Sequence, residues 1–139
     1  MAYDSNNIFA KILRGEASCI SVYEDDHTLA FMDLMPQADG HVLIIPKEAA
    51  ENLLDLSEAG AQACIRTTRR VAIAVKKALG VEGIHVAQLN GAAAGQTVPH
   101  CHFHVIPHAT GTVLRMHAAI RAPEETLKAM AERIKACLA

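Results

Sequence analysis

Apolar residues along this chain change their spacing several times, and each change marks an element. Ile8, Phe9, Ile12 and Leu13 recur at helical spacing behind the polar cluster Ser5, Asn6 and Asn7, with Gly15 beyond them. That pattern predicts a short capped helix. Two runs of strand character follow at 20–23 and 28–32, divided by Glu24, Asp25, Asp26 and His27 at hairpin spacing. A polar, glycine-ended loop (35–40) leads to a strand over 41–45, closed by Pro46. The unbroken run Val42, Leu43, Ile44, Ile45 suits a strand covered on both faces. The clearest helix runs from Ser57 to Leu79 with Gly80 as its stop. Ala61, Ile65, Thr68, Ala72, Val75 and Leu79 would form its buried stripe. A strand over 84–90, a glycine-containing loop and a second strand carrying three histidines come next. After Pro107 a turn at Thr110, Gly111 and Thr112 leads to a last helix from about Pro123. Segregated strands with short connections predict an α+β domain with a mainly antiparallel five-stranded sheet and flanking helices.

At 139 residues the chain has the size of one domain able to bury its own core. A net charge of −2 gives no general drive toward nucleic acid or an anionic membrane, so any anion site must be local. Arg66, Arg69, Arg70, Lys76 and Lys77 are accordingly assigned to a solvated helix face. Cys19, Cys64, Cys101 and Cys137 are spread without any C-x-x-C pair, which argues for free thiols over a disulfide framework. Asp4, Ser5, Asn6 and Asn7 are wrong for a secretory leader, and no apolar run reaches membrane-spanning length. A cytoplasmic protein with no nucleic-acid or membrane partner is expected.

The chemistry concentrates in His100, His102 and His104, which alternate with Cys101, Phe103 and Val105. On a strand the three imidazoles would share one face, and Cys101 would turn into the core on the other. Histidine titrates nearest neutrality, so such a row suits proton handling or metal binding. The preceding loop, Asn90 to Thr97 with Gly91 and Gly95, offers backbone N–H groups that suit a phosphate. Same-face strand positions lie about 6.5–7 Å apart, so His100 and His104 would attach about 13 Å apart. One zinc ion with ligands at about 2.0–2.1 Å cannot readily draw in all three. A metal site would use a His-x-His pair and a further ligand such as His41 or His85. Without metal, one imidazole acts as nucleophile on phosphorus and its neighbours orient it or move protons. Both readings stand on the residues alone, as does a nucleotide-binding module with little turnover. His27, His85, His108 and His117 have no motif partner and are assigned structural or solvent-facing places.

Residues 95–106, from Gly95, Gln96, Thr97 through the three histidines to Val105 and Ile106, resemble the signature of the histidine triad (HIT) family. The blocks at 8–12, 24–26, 29–33 and 41–46 are similar to that family's earlier blocks, in the same order, so the likeness covers about 7–107. The resemblance implies a single HIT domain over 1–139, with residues 110–139 as a C-terminal helical extension and the sheet continued across a homodimer. It implies cleavage at the α-phosphate of a purine nucleotide derivative, with His102 as the nucleophile and a nucleotidyl-histidine intermediate. His100 and His104 match the flanking positions that contact the phosphate and handle protons, and His41 matches a fourth histidine. Asn90, Gly95, Gln96 and Thr97 match the phosphate loop. Phe31, Asp33 and Leu34 match the nucleoside pocket, with Ile8 and Phe9 completing its apolar wall.

The chain also departs from the family. Some bacterial members carry a zinc-binding C-x-x-C where Asn7 and Ala10 stand, so structural zinc is not expected and no cofactor is required for the chemistry. His108 stands where an arginine is frequent. The chain has no tryptophan, unlike the tail of the phosphoramidase branch, while its 95–98 wording also occurs in dinucleoside polyphosphate hydrolases. The branch, and with it the leaving group, stays open.

Overall fold

The computed structural model describes residues 2–116 and 119–138; His117 lies outside the described residues. The chain runs α1 (Ile8–Leu13), β1 (Ser21–Glu24), β2 (Thr28–Met32), β3 (Val42–Pro46), α2 (Glu58–Leu79), β4 (Gly83–Gln88), a 3₁₀ turn (Ala92–Ala94), β5 (Phe103–His108) and α3 (Glu124–Lys135). The strands form one open antiparallel sheet in the order β1-β2-β3-β5-β4. Asn7 caps α1 by accepting from the Ala10 N–H at 2.9 Å, Ser57 caps α2, and Gly80 ends α2 in the left-handed region. Among the described residues no helix is long and apolar enough to cross a membrane.

Alternation along the strands builds two unequal cores. Ala30, Met32, Val42, Ile44, Phe103 and Val105 point to the face covered by α2 and α3. Leu29, Phe31, Leu43 and Ile45 point to the other, where Phe9 and the half-buried Ile12 and Leu13 of α1 meet them. On β5, His104 pairs with Leu43 and so shares the α1 face, which is the face of the candidate site. The last helix is no appendage, since Leu127, Ala131 and Ile134 lie in the larger core.

Two expectations are corrected. In α2, Thr68 and Val75 are buried and Ala61, Ala72 and Leu79 pack against the core as the stripe requires, but Ile65 is 54% exposed, with Cys64, Thr67, Val71 and Ala74 buried in addition. Small side chains let the helix lie close on the sheet, and that packing outweighs the greater hydrophobicity of Ile65. The histidine run is also not one strand. Residues 98–100 form a bend and β5 begins at Phe103, because the Cys101 N–H bonds to the Ala50 carbonyl (2.8 Å) instead of joining the ladder.

The β1–β2 turn is organised by Asp25. Partial burial alone would raise its carboxyl pKa. The N–H groups of His27 and Thr28 and the hydroxyls of Thr28 and Tyr23 outweigh that and hold it down at about 2, from 3.8. The Thr28 hydroxyl also meets that of Thr67 on α2 at 2.7 Å, so the turn is tied to the helix. A folded-state pKa below the unfolded value stabilises the fold above the unfolded value, and the contribution is lost as pH falls through the folded one. Allowing for solvent screening, about 1–2 kcal/mol should disappear between pH 5 and pH 2. Urea unfolding across that range should show this acid limb in the native chain and a flatter one in the Asp25→Asn variant.

The loop that returns to β3 needs Gly40. Its φ is +93°, and a Cβ there would meet a methyl carbon of Leu79 at 3.0 Å. This close approach delivers His41 to the edge of the site.

Candidate active site

Four histidines converge below α1, all at most 4% exposed: His41, His100, His102 and His104. Main-chain groups, whose donor or acceptor character is fixed, determine where each ring carries its proton. His102 Nδ1 lies 2.7 Å from the His100 carbonyl oxygen. A carbonyl only accepts, so Nδ1 carries the proton and Nε2 carries the lone pair. His100 Nε2 donates to the Pro46 carbonyl at 2.9 Å, which makes its Nδ1 the acceptor for the Tyr3 hydroxyl at 2.5 Å. That hydroxyl in turn accepts from Asn7 Nδ2 at 2.9 Å. Burial pushes the His100 pKa down, against smaller opposing contributions from Pro46 and Asp55, in keeping with a neutral ring.

A second chain of bonds fixes His104. The Gln37 backbone N–H donates to His41 Nδ1 at 3.1 Å, so neutral His41 carries its proton on Nε2. That proton faces His104 Nδ1 at 2.9 Å, with an Asp33 carboxylate oxygen at 3.4 Å from the same nitrogen. His104 therefore accepts at Nδ1 and carries its own proton on Nε2. The rings of His102 and His104 are 5.0 Å apart, and Phe9 meets His102 edge-on at 5.0 Å. A lone pair on one ring and an N–H on its neighbour is the pairing that nucleophilic displacement at phosphorus requires.

These two rings open into a cleft of about 250 Å³. Ile8, Phe9, Phe31, Asp33, Leu34, Thr97, His102 and His104 line it, as the sequence led us to expect, and Phe31 meets Phe9 edge-on at 5.4 Å. Ser18, Cys19 and Met35 also line it, marked by no periodicity or motif, as does Val98 from within the 95–106 signature. Cys64 and Cys101 are buried elsewhere, and burial pushes both thiols up to about 12, so neither is a nucleophile.

Other expected site residues stand apart from the cleft. His100 spends both ring nitrogens on the protein and is not among the residues lining the cleft. His41 stands behind His104. Asn90 is committed to a reciprocal amide pair with Gln88 and to the Leu53 N–H. Gln96 accepts from the Gly91 N–H and donates to the carbonyls of Glu51 and Val98. The N–H groups of Ala94, Gly95 and Gln96 bond within the same loop. Asn90, Gly95 and Gln96 thus build the loop that places Thr97, and an internal hydrogen bond outcompetes an outward-facing donor. His85 is exposed on the edge strand β4 and His108 bonds the Thr112 carbonyl, in line with their assignment away from the site.

Asp33, His41 and His104 offer ligand atoms within 4.8 Å of one another, a spacing that a metal ion could use. The Gln37 N–H argues against it. With Nδ1 accepting that bond, a metal on His41 Nε2 would demand an imidazolate, whereas the observed arrangement needs only neutral rings. At the amino terminus Asn7 and Ala10 provide no thiolate, and Asn7 is engaged in capping and in the bond to Tyr3. The residues present do not fit a structural zinc there.

An open five-stranded antiparallel sheet carrying a cluster of buried histidines beside an apolar cleft defines the class of the histidine triad proteins. The chain belongs to the HIT family: the HIT domain profile matches residues 14–111. It is 48% identical to a Hit-like protein involved in cell-cycle regulation from Bartonella henselae, whose crystal structure aligns with a TM-score of 0.93 over 99% of this chain and 100% of that one. It is 40% identical over 100 residues to the adenosine 5'-monophosphoramidase hnt1 of Schizosaccharomyces pombe, covering 72% of each chain. It is 34% identical over 131 residues to the adenylylsulfatase HINT3 of Arabidopsis thaliana, covering 94% of this chain and 66% of that one.

Proposed function

We propose that the protein is a nucleotide hydrolase that cleaves at the α-phosphate of a purine nucleotide derivative through a nucleotidyl-His102 intermediate. The observation that carries this reading is the His102 Nδ1–H···O=C bond to His100, which leaves the Nε2 lone pair on the cleft side of the triad. In the first step Nε2 bonds to phosphorus as the bond to the leaving group breaks. The departing amine takes the Nε2 proton of His104. In the second step water attacks phosphorus, the P–Nε2 bond breaks, and a water proton returns to His104. Asp33 faces the cleft as the acceptor for ribose hydroxyls, and Phe31, Leu34, Ile8 and Phe9 wall the base. The phosphoramidase and adenylylsulfatase relatives support nucleotide chemistry at this site.

The charge of the cleft favours one leaving group. Among the described residues lining it there is no Lys or Arg, and the one carboxylate is Asp33. A polyphosphate leaving group would find no counter-charge there, while an amine expelled from a phosphoramidate needs none. Adenosine 5'-phosphoramidate should therefore exceed a diadenosine polyphosphate in kcat/KM by at least about tenfold, and exhaustive chelation should leave the rate unchanged. Faster turnover of the polyphosphate would sink the leaving-group assignment, and loss of activity on chelation would revive the metal reading.

The edge strand β4, with Val86 48% exposed, and the exposed Ile65 and Ile73 on α2 supply the surface for the homodimer that the family resemblance implies. A single monomer-sized species by sedimentation at micromolar concentration would rule that dimer out.

A further inference from the structure

We infer that Tyr3 is a positioning residue for the nucleophile, holding the His100 ring so that the His100 carbonyl keeps His102 in its Nε2-lone-pair tautomer. The peptide that matters lies outside the sheet. His100 sits in the bend before β5, with no ladder partner to fix it. Three bonds do that work instead. The Cys101 N–H is anchored to the Ala50 carbonyl, and the His100 ring is clamped at both ends, by the Pro46 carbonyl on Nε2 and the Tyr3 hydroxyl on Nδ1.

The clamp is itself oriented. Asn7 donates Nδ2 to the Tyr3 oxygen, so the tyrosine proton is directed at His100, and the same Nδ2 holds the Asp4 carbonyl at 2.7 Å. The Tyr3 ring packs edge-on to His100 at 5.7 Å. Remove the hydroxyl and a buried ring nitrogen loses its donor. The ring can then turn or exchange its protons to find another partner, and the carbonyl attached to it moves as well. Outer partners that orient a reacting imidazole act through its tautomer and direction without touching substrate. This chain, lacking thiolates at 7 and 10, ties its amino-terminal segment to the triad by this hydrogen-bonded cluster.

The kinetic half of the inference rests on the nucleotidyl reading above; the tautomer half does not. Two variants test it. Tyr3→Phe keeps the ring and removes the hydroxyl. Asn7→Asp keeps an oxygen to cap α1 and replaces the donor with an acceptor, which draws the Tyr3 proton away from His100. Long-range ¹H–¹⁵N spectra of the imidazoles read the His102 tautomer directly. Rapid acid quench with α-labelled adenosine 5'-phosphoramidate reads the rate of covalent labelling. In both variants the His102 resonances should move from a single Nδ1–H tautomer to a mixture. Labelling should slow about tenfold while KM stays within twofold. Unchanged His102 resonances in both variants overturn the inference whatever the rates do. A native chain that never becomes labelled overturns the nucleotidyl reading alone, and the spectra still decide the role of Tyr3.

Discussion

The His102→Ala variant should lose at least three orders of magnitude in kcat/KM on adenosine 5'-phosphoramidate, about 4 kcal/mol of transition-state stabilisation. Among the described residues lining the cleft Cys19 is the one thiol, and burial pushes its pKa up. The His104 proton sits on Nε2, and the His41 ring is committed at both nitrogens. Cys64 and Cys101 are buried thiols held up at about 12. The His102 ring borders the cleft, where it meets Phe9 and His104 edge-on, so the shortened side chain opens onto existing space. Nucleotide affinity should therefore survive within a few-fold. Acid quench of the native chain should trap label on protein, and the variant should trap none. Residual turnover above about one per cent of native would disqualify His102 as the attacking group.

The His41→Ala variant should suffer twofold damage, in stability and in rate. His41 is fully buried, and its loss strands the Gln37 N–H and His104 Nδ1 together. Each unsatisfied buried group costs about 1–3 kcal/mol, and the cavity adds to that, so a loss of about 3–5 kcal/mol is expected. The rate should fall by about a hundredfold, because His104 no longer has a fixed tautomer to protonate the leaving amine. Urea unfolding and steady-state kinetics read the two effects separately. The His41→Gln variant, whose amide can accept from Gln37 and donate to His104, should recover part of both. An alanine variant of native rate would remove His41 from the proton chain.

Much of this was legible in the sequence, for reasons that also explain what was not. Element types and order followed from changes of period and from caps such as Asn7, Ser57 and Gly80. Phe31, Asp33 and Leu34 were placed at the cleft by the family resemblance alone, because strand period by itself assigns an aromatic and an aliphatic residue to the core and an aspartate to a turn. The outward turn of Ile65 on α2 was hidden because Ala63, Cys64, Thr67 and Ala74 carry little hydrophobic weight, yet their size decides how the helix meets the sheet. His100 was placed on the same strand face as His102 and His104 because alternation was extended across 100–104, three residues further back than the strand runs. The resemblance placed Asn90 and Gln96 in the phosphate loop, but residue type shows what an amide can bond and not which internal partners it meets. Tyr3 could not be found at all. Its partner lies 97 positions away, and a single tyrosine near a terminus has no period to betray it.

The unequal cores on the two faces of the sheet bear on how a ligand arrives. The reactive rings sit under α1, a helix of six residues, while α2 and α3 brace the opposite face of the same sheet. Lifting α1 would break the edge-on contacts of Phe9 with Phe31 and His102 and the Asn7–Tyr3–His100 bonds, while the packed side keeps the strands in register. A ligand that displaced this helix would therefore disturb the imidazoles before it disturbed the sheet, so entry to the cleft and readiness of its rings are linked through six residues.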